Sequence, residues 1–303
     1  MTGSAAEVAP VAAIPTSGIA GEDGTLDRKP KGKGGIVATI ILALVAIFWI
    51  SPLALLVITA VRPLSDFVAN GALTWPETFT LQNFSDAWDV GNFGTTYRNS
   101  MILLLLKTPI GVLLAAMLAF ALAKLRMRFR GTIMFGVFLG LTIPIYITIV
   151  PVFVMMRSIG QTDSLLGLVG PYLAFGIPFE VLVLQSFFRQ LPEEILESAR
   201  IDGASEWRIF FTIVLPLSTP ALVTVLILDG VSTWNEFLFA LILLNSDENK
   251  TIPVGLLNFQ GQFANNNTGL AAGILIAVLP ILIAYILLQR WIVGGLTAGA
   301  TKG

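Results

Sequence analysis

Residues 34–61 form 28 consecutive positions without a charge, and a bilayer core needs about 20 helical residues. This stretch predicts a first membrane span. Four similar stretches follow, at about 99–123, 131–156, 164–188 and 269–293. The second carries Lys107, the third Pro144 and Pro151, the fourth Pro171, Pro178 and Glu180, and the last Pro280. A longer apolar run, 209–245, is interrupted by Asp229-Gly230 and by "TWNEF". A straight helix of 37 residues would be roughly 55 Å long at the usual rise. That exceeds a hydrocarbon core of about 30 Å, and 238–244 is too short to cross again. One span over 209–230 is predicted there, with the following element at the opposite side. The pattern predicts an all-α integral membrane protein of six spans.

Before and after the spans the material changes. Residues 1–33 are rich in Ala, Gly, Pro, Ser and Thr and end in Arg28, Lys29, Lys31 and Lys33. Such a segment buries too little apolar surface to fold, so it reads as a disordered tail. No cleavable signal is evident. The expected domain runs from 34 to 294, and 295–303 ("GLTAGATKG") reads as a terminal tail. An even number of spans puts both termini on one side. Segments on that side hold 13 of the 18 Lys and Arg residues, so both termini and the 190–208 loop are expected in the cytoplasm of a multi-pass cell membrane protein.

The chain has no Cys and no His. Disulfides, thiolate zinc sites and Cys nucleophiles are excluded, as are the commonest general base and metal ligand. A net charge of −1 gives no attraction to nucleic acid. No G-x(4)-G-K-[ST] phosphate loop is present, so ATP would have to be used by another chain. No metal, catalytic residue or bound cofactor is expected. The hydrophobic fraction of 55% and charged fraction of 12% leave membrane lipid as the main surroundings.

Against that background, "ESARIDGASEWRIFFTIVLPLSTP" clusters charge at Glu197, Arg200, Asp202, Glu206 and Arg208. Pro192 suits a helix start, and Glu193 and Glu194 suit the positive end of its dipole. The helix is predicted to run to about Ile201. Asp202-Gly203 breaks it, with Asp202 able to cap the next turn, and a second helix starts near Ser205. The small Ala199, Gly203 and Ala204 leave room for a close approach. The alternatives at this point are an ordinary solvated loop and a docking helix that seats in a soluble partner.

Glu197, Ala199, Asp202, Gly203, Ala204, Phe210, Ile213, Leu215 and Pro216 fit the pattern E-A-A-x(2)-D-G-A-x(5)-F-x(2)-I-x-L-P, with Ser198 in place of the second Ala. This resembles the cytoplasmic loop signature of permease subunits in binding-protein-dependent ABC importers. "YRNSMIL", "TWNEFLFALILL", "TIPVGLLNF" and "GGLTAGATKG" are similar to the carbohydrate-importer branch, of the maltose-permease type. The likeness covers roughly 34–303. It implies a cytoplasmic coupling helix between spans four and five, with Glu197, Ala199, Arg200, Asp202, Gly203 and Ala204 as ATPase-coupling residues. The implied partners are a second related permease subunit, two ATP-binding subunits that carry ATP and Mg, and an extracytoplasmic sugar-binding protein. The C-terminal tail is implied to reach the ATPase dimer.

Other charges and loops offer candidates for the solute path. Lys107 and Glu180 lie inside spans, where charge is costly, but sequence does not pair them. Asp229 and Glu236 fall near the expected boundary of span five. Trp234, Asn235 and Glu236 are candidate pathway residues, since an indole can stack on a sugar face beside groups that bind its hydroxyls. A Trp is equally a common interfacial anchor. The loops at 63–98 and 246–268 are polar and aromatic, as a hydroxylated ligand or a partner would require, or merely a solvated surface. Two rivals compete with the importer reading. An ion-coupled secondary transporter of polar solutes predicts inverted repeats and acid relays, and a membrane enzyme predicts a cluster of carboxylates, Ser or Lys. Neither feature is evident in the sequence.

Overall fold

The computed structural model describes residues 33–259 and 266–298, and every regular element among them is helical. The predicted tail at 1–33 therefore lies almost wholly outside the described residues, as do 299–303. In chain order the helices begin with α1 (Lys33–Ala60), α2 (Leu64–Asn70) and α3 (Gln82–Val90). Next come α4 (Phe93–Lys124), α5 (Arg130–Thr142), α6 (Ile145–Ser158) and α7 (Leu165–Arg189). The short α8 (Glu193–Ile201) and α9 (Glu206–Ile209) lead into a π-helical turn (Phe210–Val214) and α10 (Leu215–Leu217). Finally come α11 (Thr219–Asn235), α12 (Leu238–Leu243), α13 (Ile252–Gly255) with a 3₁₀ turn (Leu256–Phe259), and α14 (Asn267–Ala298).

Four helical stretches are long and apolar enough to cross a membrane: Ile36–Ala60, α4, α7 and Asn267–Gln289. Two bent pairs raise the number to six if each counts as one span. The predicted third span is one of these pairs. It turns by 100° between α5 and α6, because Pro144 has no N–H to continue the ladder and forces Ile143 into an extended backbone (ψ 115°). The predicted fifth span is the other, with an 80° bend between Glu206–Leu217 and Thr219–Asn235. Pro220 there cannot donate to the Pro216 carbonyl, and the Thr219 hydroxyl takes that carbonyl at 2.8 Å instead. A π-turn just before Pro216 absorbs the remaining mismatch. So the spans read at 131–156 and 209–230 each take the form of a bent pair, and α11 extends five residues further, to Asn235. The last helix likewise runs to Ala298, past the predicted tail boundary at 295.

The chain divides into a unit up to Ile50 and a unit from Ser51 onward. In the first, side chains 36–50 are exposed and, apart from Thr39, apolar, as a lipid-facing helix requires. In the second, α4 packs along α7 more extensively than any other pair. The reason is visible in the sequence of α4. Gly111, Ala115 and Ala119 recur every fourth residue, are all buried, and let the two backbones approach closely. One apolar core gathers Phe120, Leu122, Leu184, Phe188, Leu196, Ile209 and Phe210 at one end of these helices. A second holds Ala87, Phe93, Trp234, Ile252 and Phe259, and a third Leu103, Leu168, Phe239 and Leu243.

The two ends are tied by different devices. At one, Lys124 at the end of α4 donates to the Leu191 carbonyl at 2.7 Å and to Glu193 at 3.1 Å. At the other, Asp163 accepts from the Asn245 and Ser246 backbone N–H groups at 2.9 and 3.0 Å. These bonds hold the Asp163 carboxyl below the usual carboxylate range, the Ser246 backbone contributing most. Arg62 ties the loop after α1 together. It is fully buried and donates to Asp66 at 3.0 Å and to the Gly71 and Thr74 carbonyls.

Candidate functional sites

The α8–α9 segment is built as the sequence predicts, with one exchange of roles. Leu196 is buried and seats α8 on the first core, while Ala199 and Ala204 pack half-buried against the same core. The helix ends in a Schellman arrangement: Ala204 N–H donates to the Ala199 carbonyl at 2.9 Å, and Gly203 N–H to the Arg200 carbonyl at 3.0 Å. Gly203 makes this possible at φ +79°, in the left-handed region that a side chain disfavours. Asp202 is the C-cap of α8, however, and does not cap the next helix. Ser205 does, its hydroxyl accepting from Arg208 N–H at 3.3 Å.

Charge on this segment is partly used internally. Arg200 pairs with Glu206 at 2.8 Å and with Glu193 at 3.2 Å. The Lys124 ammonium, and behind it Arg200, hold the Glu193 carboxyl below its ordinary value. With a lowered folded-state value, this pairing contributes at neutral pH and is lost only as pH falls through that value. Glu197 and Asp202 are exposed. So are apolar groups that sequence reasoning passed over: Ile201 at 85% and Trp207 at 61% exposure, and Ile195 nearer the start of α8. The turn thus presents bulky apolar side chains and two acids on one short motif.

Deep in the helices a second constellation appears that the sequence did not pair. Lys107 of α4 hydrogen-bonds Asp229 of α11 and lies 3.7 Å from Glu180 of α7. All three are almost completely buried, the side chains at 2%, 5% and 1% exposure. Asp229, whose position near a predicted boundary left it open to interfacial solvation, is thus answered inside the protein by Lys107. Because α11 continues to Asn235, Asp229 falls inside the helix, and a cluster of Lys and carboxylates does exist. Gly176 of α7 leaves the space it occupies. A Cβ there would lie 2.7 Å from Lys107 Nζ, 2.8 Å from Glu180 Oε1 and 3.1 Å from Asp229 Oδ1. Gly176→Ala should therefore force the ion cluster apart, at a cost of about 1–3 kcal/mol. A clear drop in the melting temperature of the detergent-solubilised protein is expected, and an unchanged one would count against this packing.

Trp234, Asn235 and Glu236 point three ways, as consecutive residues at a helix end must. Trp234 is buried, donates from its indole N–H to the Ala277 carbonyl at 3.2 Å, and packs edge-on to Tyr97. Asn235 is exposed and bonds back to the Val231 carbonyl of its own helix. Glu236 accepts from Phe239 and Ala240 N–H at 2.9 and 3.2 Å and from the Tyr172 hydroxyl. It therefore opens α12 as well as lining a cavity of about 110 Å³ together with Lys107, Tyr172, Gly176, Asp229 and Ser232.

Comparison with known proteins gives these sites a setting. Residues 107–297 match the family model of the binding-protein-dependent transport system inner membrane component. A putative ABC transporter permease protein of a Caldicellulosiruptor species is 35% identical over 252 residues, covering 83% of this chain and 91% of the relative. The trehalose transport system permease protein SugB of Mycobacterium tuberculosis is 35% identical over 263 residues, covering 86% and 93%. Among solved structures, a bacterial ABC transporter involved in the import of the acidic polysaccharide alginate shares the fold, with a TM-score of 0.74. The identity there is 23%, covering 85% of this chain and 95% of that one. The matched segment holds both the Glu197–Pro216 motif and the buried ion cluster. The chain belongs to the binding-protein-dependent transport system inner membrane components, the multi-pass permease subunits of ABC importers.

Proposed function

We propose that this chain forms part of the transmembrane pathway for a sugar and is driven by a separate ATPase that docks on the α8–α9 turn. The observation that carries the reading is the turn itself. A helix pinned by Leu196 and closed by Gly203 carries exposed Glu197 and Ile201, with exposed Asp202 at its cap and Trp207 on α9, an apolar and acidic surface suited to a cleft in a soluble protein. Glu197, Ala199, Arg200, Asp202, Gly203 and Ala204 are assigned to coupling within a loop spanning 190–208. A permease domain over 34–294, six spans, both termini in the cytoplasm, a second related permease and two ATP-binding subunits complete the proposal. An extracytoplasmic sugar-binding protein delivers the solute. The trehalose permease among the relatives supports a sugar as cargo.

The test is assembly followed by turnover. Expressed with its genomic neighbours, the chain is expected to retain an ATPase through purification. In proteoliposomes, ATP hydrolysis should rise when the binding protein is supplied with the transported sugar. Failure to retain any ATPase would overturn the coupling assignment. Retention without stimulation by any sugar would overturn the choice of cargo.

A further inference from the structure

The ion cluster leaves a carboxylate oxygen unanswered beside open space. Asp229 is 7% exposed and lines the 110 Å³ cavity. Its Oδ1 is taken by Lys107, while Oδ2 has no hydrogen-bond partner among the described residues. Both Glu180 oxygens behind it are likewise without a hydrogen bond among those residues. A buried acceptor of this kind costs free energy unless a donor reaches it. The remaining polar groups on the cavity wall are hydroxyls, those of Ser232, Thr233 and Tyr172, together with Glu236. Ser232 is exposed, so the cavity opens to the surface on its side.

We propose that this cavity is a substrate-contacting subsite of the permease, where Asp229 accepts a hydrogen bond from a hydroxyl of an uncharged sugar. The inference rests on the sugar-import reading above and adds the residues and the charge class. Electrostatics decides among ligand classes. Lys107 is already engaged by Asp229, and Glu236 stands on the wall as a further acid. An anionic sugar would find that cation taken and would bring its charge against these acids in a low-dielectric setting, where repulsion is strong. A metal cation at Asp229 would meet the Lys107 ammonium already bound to the same carboxylate. A neutral hydroxyl donor meets neither obstacle, and it donates to the carboxylate while accepting from Ser232 or Thr233.

The experiment uses the complete complex in proteoliposomes, with its binding protein and radiolabelled trehalose, maltose and raffinose as probes. Ser232→Leu closes the open side of the cavity without touching the ion cluster. For whichever probe stimulates the unmodified complex, the Leu variant is expected to assemble with its ATPase but to take up sugar roughly tenfold more slowly. Ser232→Thr, which keeps the hydroxyl, should stay near the unmodified rate. Wild-type uptake by an assembled Leu variant would overturn the subsite. Should the Leu variant fail to assemble, Ser232→Val against Ser232→Thr carries the test, since the two are equal in shape. The Val variant alone should then raise KM for uptake, and equal KM values would overturn the proposal. If no probe stimulates the unmodified complex, the sugar reading falls and the subsite with it. Stimulation that survives alongside an indifferent Leu variant removes only the subsite.

Discussion

Lys107→Met should leave little folded protein in the membrane. The substitution keeps most of the side-chain volume but strips the cation from Glu180 and Asp229, which lie against it from two other helices. Removing one partner of a buried ion pair costs about 3–5 kcal/mol, because the other is left charged and desolvated. A protein whose total stability is roughly 5–15 kcal/mol loses a large share of it in one step. The expected readouts are a sharp fall in melting temperature in detergent and loss of protease-resistant spans. The diagnostic variant is Lys107→Met combined with Glu180→Gln and Asp229→Asn, which removes all three charges. It should regain most of the melting temperature, because no uncompensated charge remains. It should not regain sugar uptake, since the Asp229 carboxylate is gone from the cavity. If Lys107→Met melts like the unmodified protein, or if the triple variant melts no better than the single one, the cluster is not the clamp its geometry indicates.

That cluster also marks where the sequence stops being informative. Runs of apolar residues located α1 and α7 to within one residue at each end, and α4 and α14 to within six, because length and hydropathy are enough for a continuous helix in lipid. The loop between α7 and α11 was equally legible. Pro192, the Asp202-Gly203 break and Ser205 each act through local backbone chemistry, and local chemistry needs no partner. Pairing is different. Lys107 and Asp229 are 122 residues apart, and nothing in either helix's own pattern states which face meets which. Asp229 belongs to the same case: the predicted span ended at 230, whereas α11 continues to Asn235 and Asp229 meets Lys107 inside the protein. The bends at Ile143 and Ser218 were visible only as prolines. A proline in a membrane helix permits anything from a slight kink to a full break, and the outcome depends on what the freed carbonyls find. At Ser218 they find the Thr219 hydroxyl. The exposed Ile201 and Trp207 were passed over because charge, not apolar exposure, was the local anomaly in so apolar a chain.

Gly203→Pro should abolish sugar-stimulated ATP hydrolysis and uptake while leaving the spans inserted. Two effects combine at this position. Proline fixes φ near −65°, whereas Gly203 sits at +79°, so the reversal of direction after α8 cannot form. Proline also removes the N–H that closes on the Arg200 carbonyl. Glu197 and Ile201 on α8 would then lose their fixed placement relative to Trp207 on α9, while Leu196 still anchors α8 to the core. The membrane-embedded cores have no contact of Gly203 to lose, since a Cβ built there meets no atom within 4 Å. That open space yields a graded series. Gly203→Ala meets no steric obstacle but pays the left-handed backbone penalty of roughly 1–2 kcal/mol, and Gly203→Asn pays less, because Asn tolerates that region better. Activity should fall in the order Gly, Asn, Ala, Pro at equal amounts of inserted protein. Retention of the ATPase through purification should follow the same order. Asp202→Arg tests the surface rather than the backbone. Its exposed carboxylate becomes a cation with the turn intact, and uptake should again be lost. Coupling that survived both Gly203→Pro and Asp202→Arg would place the ATPase contact elsewhere on the chain.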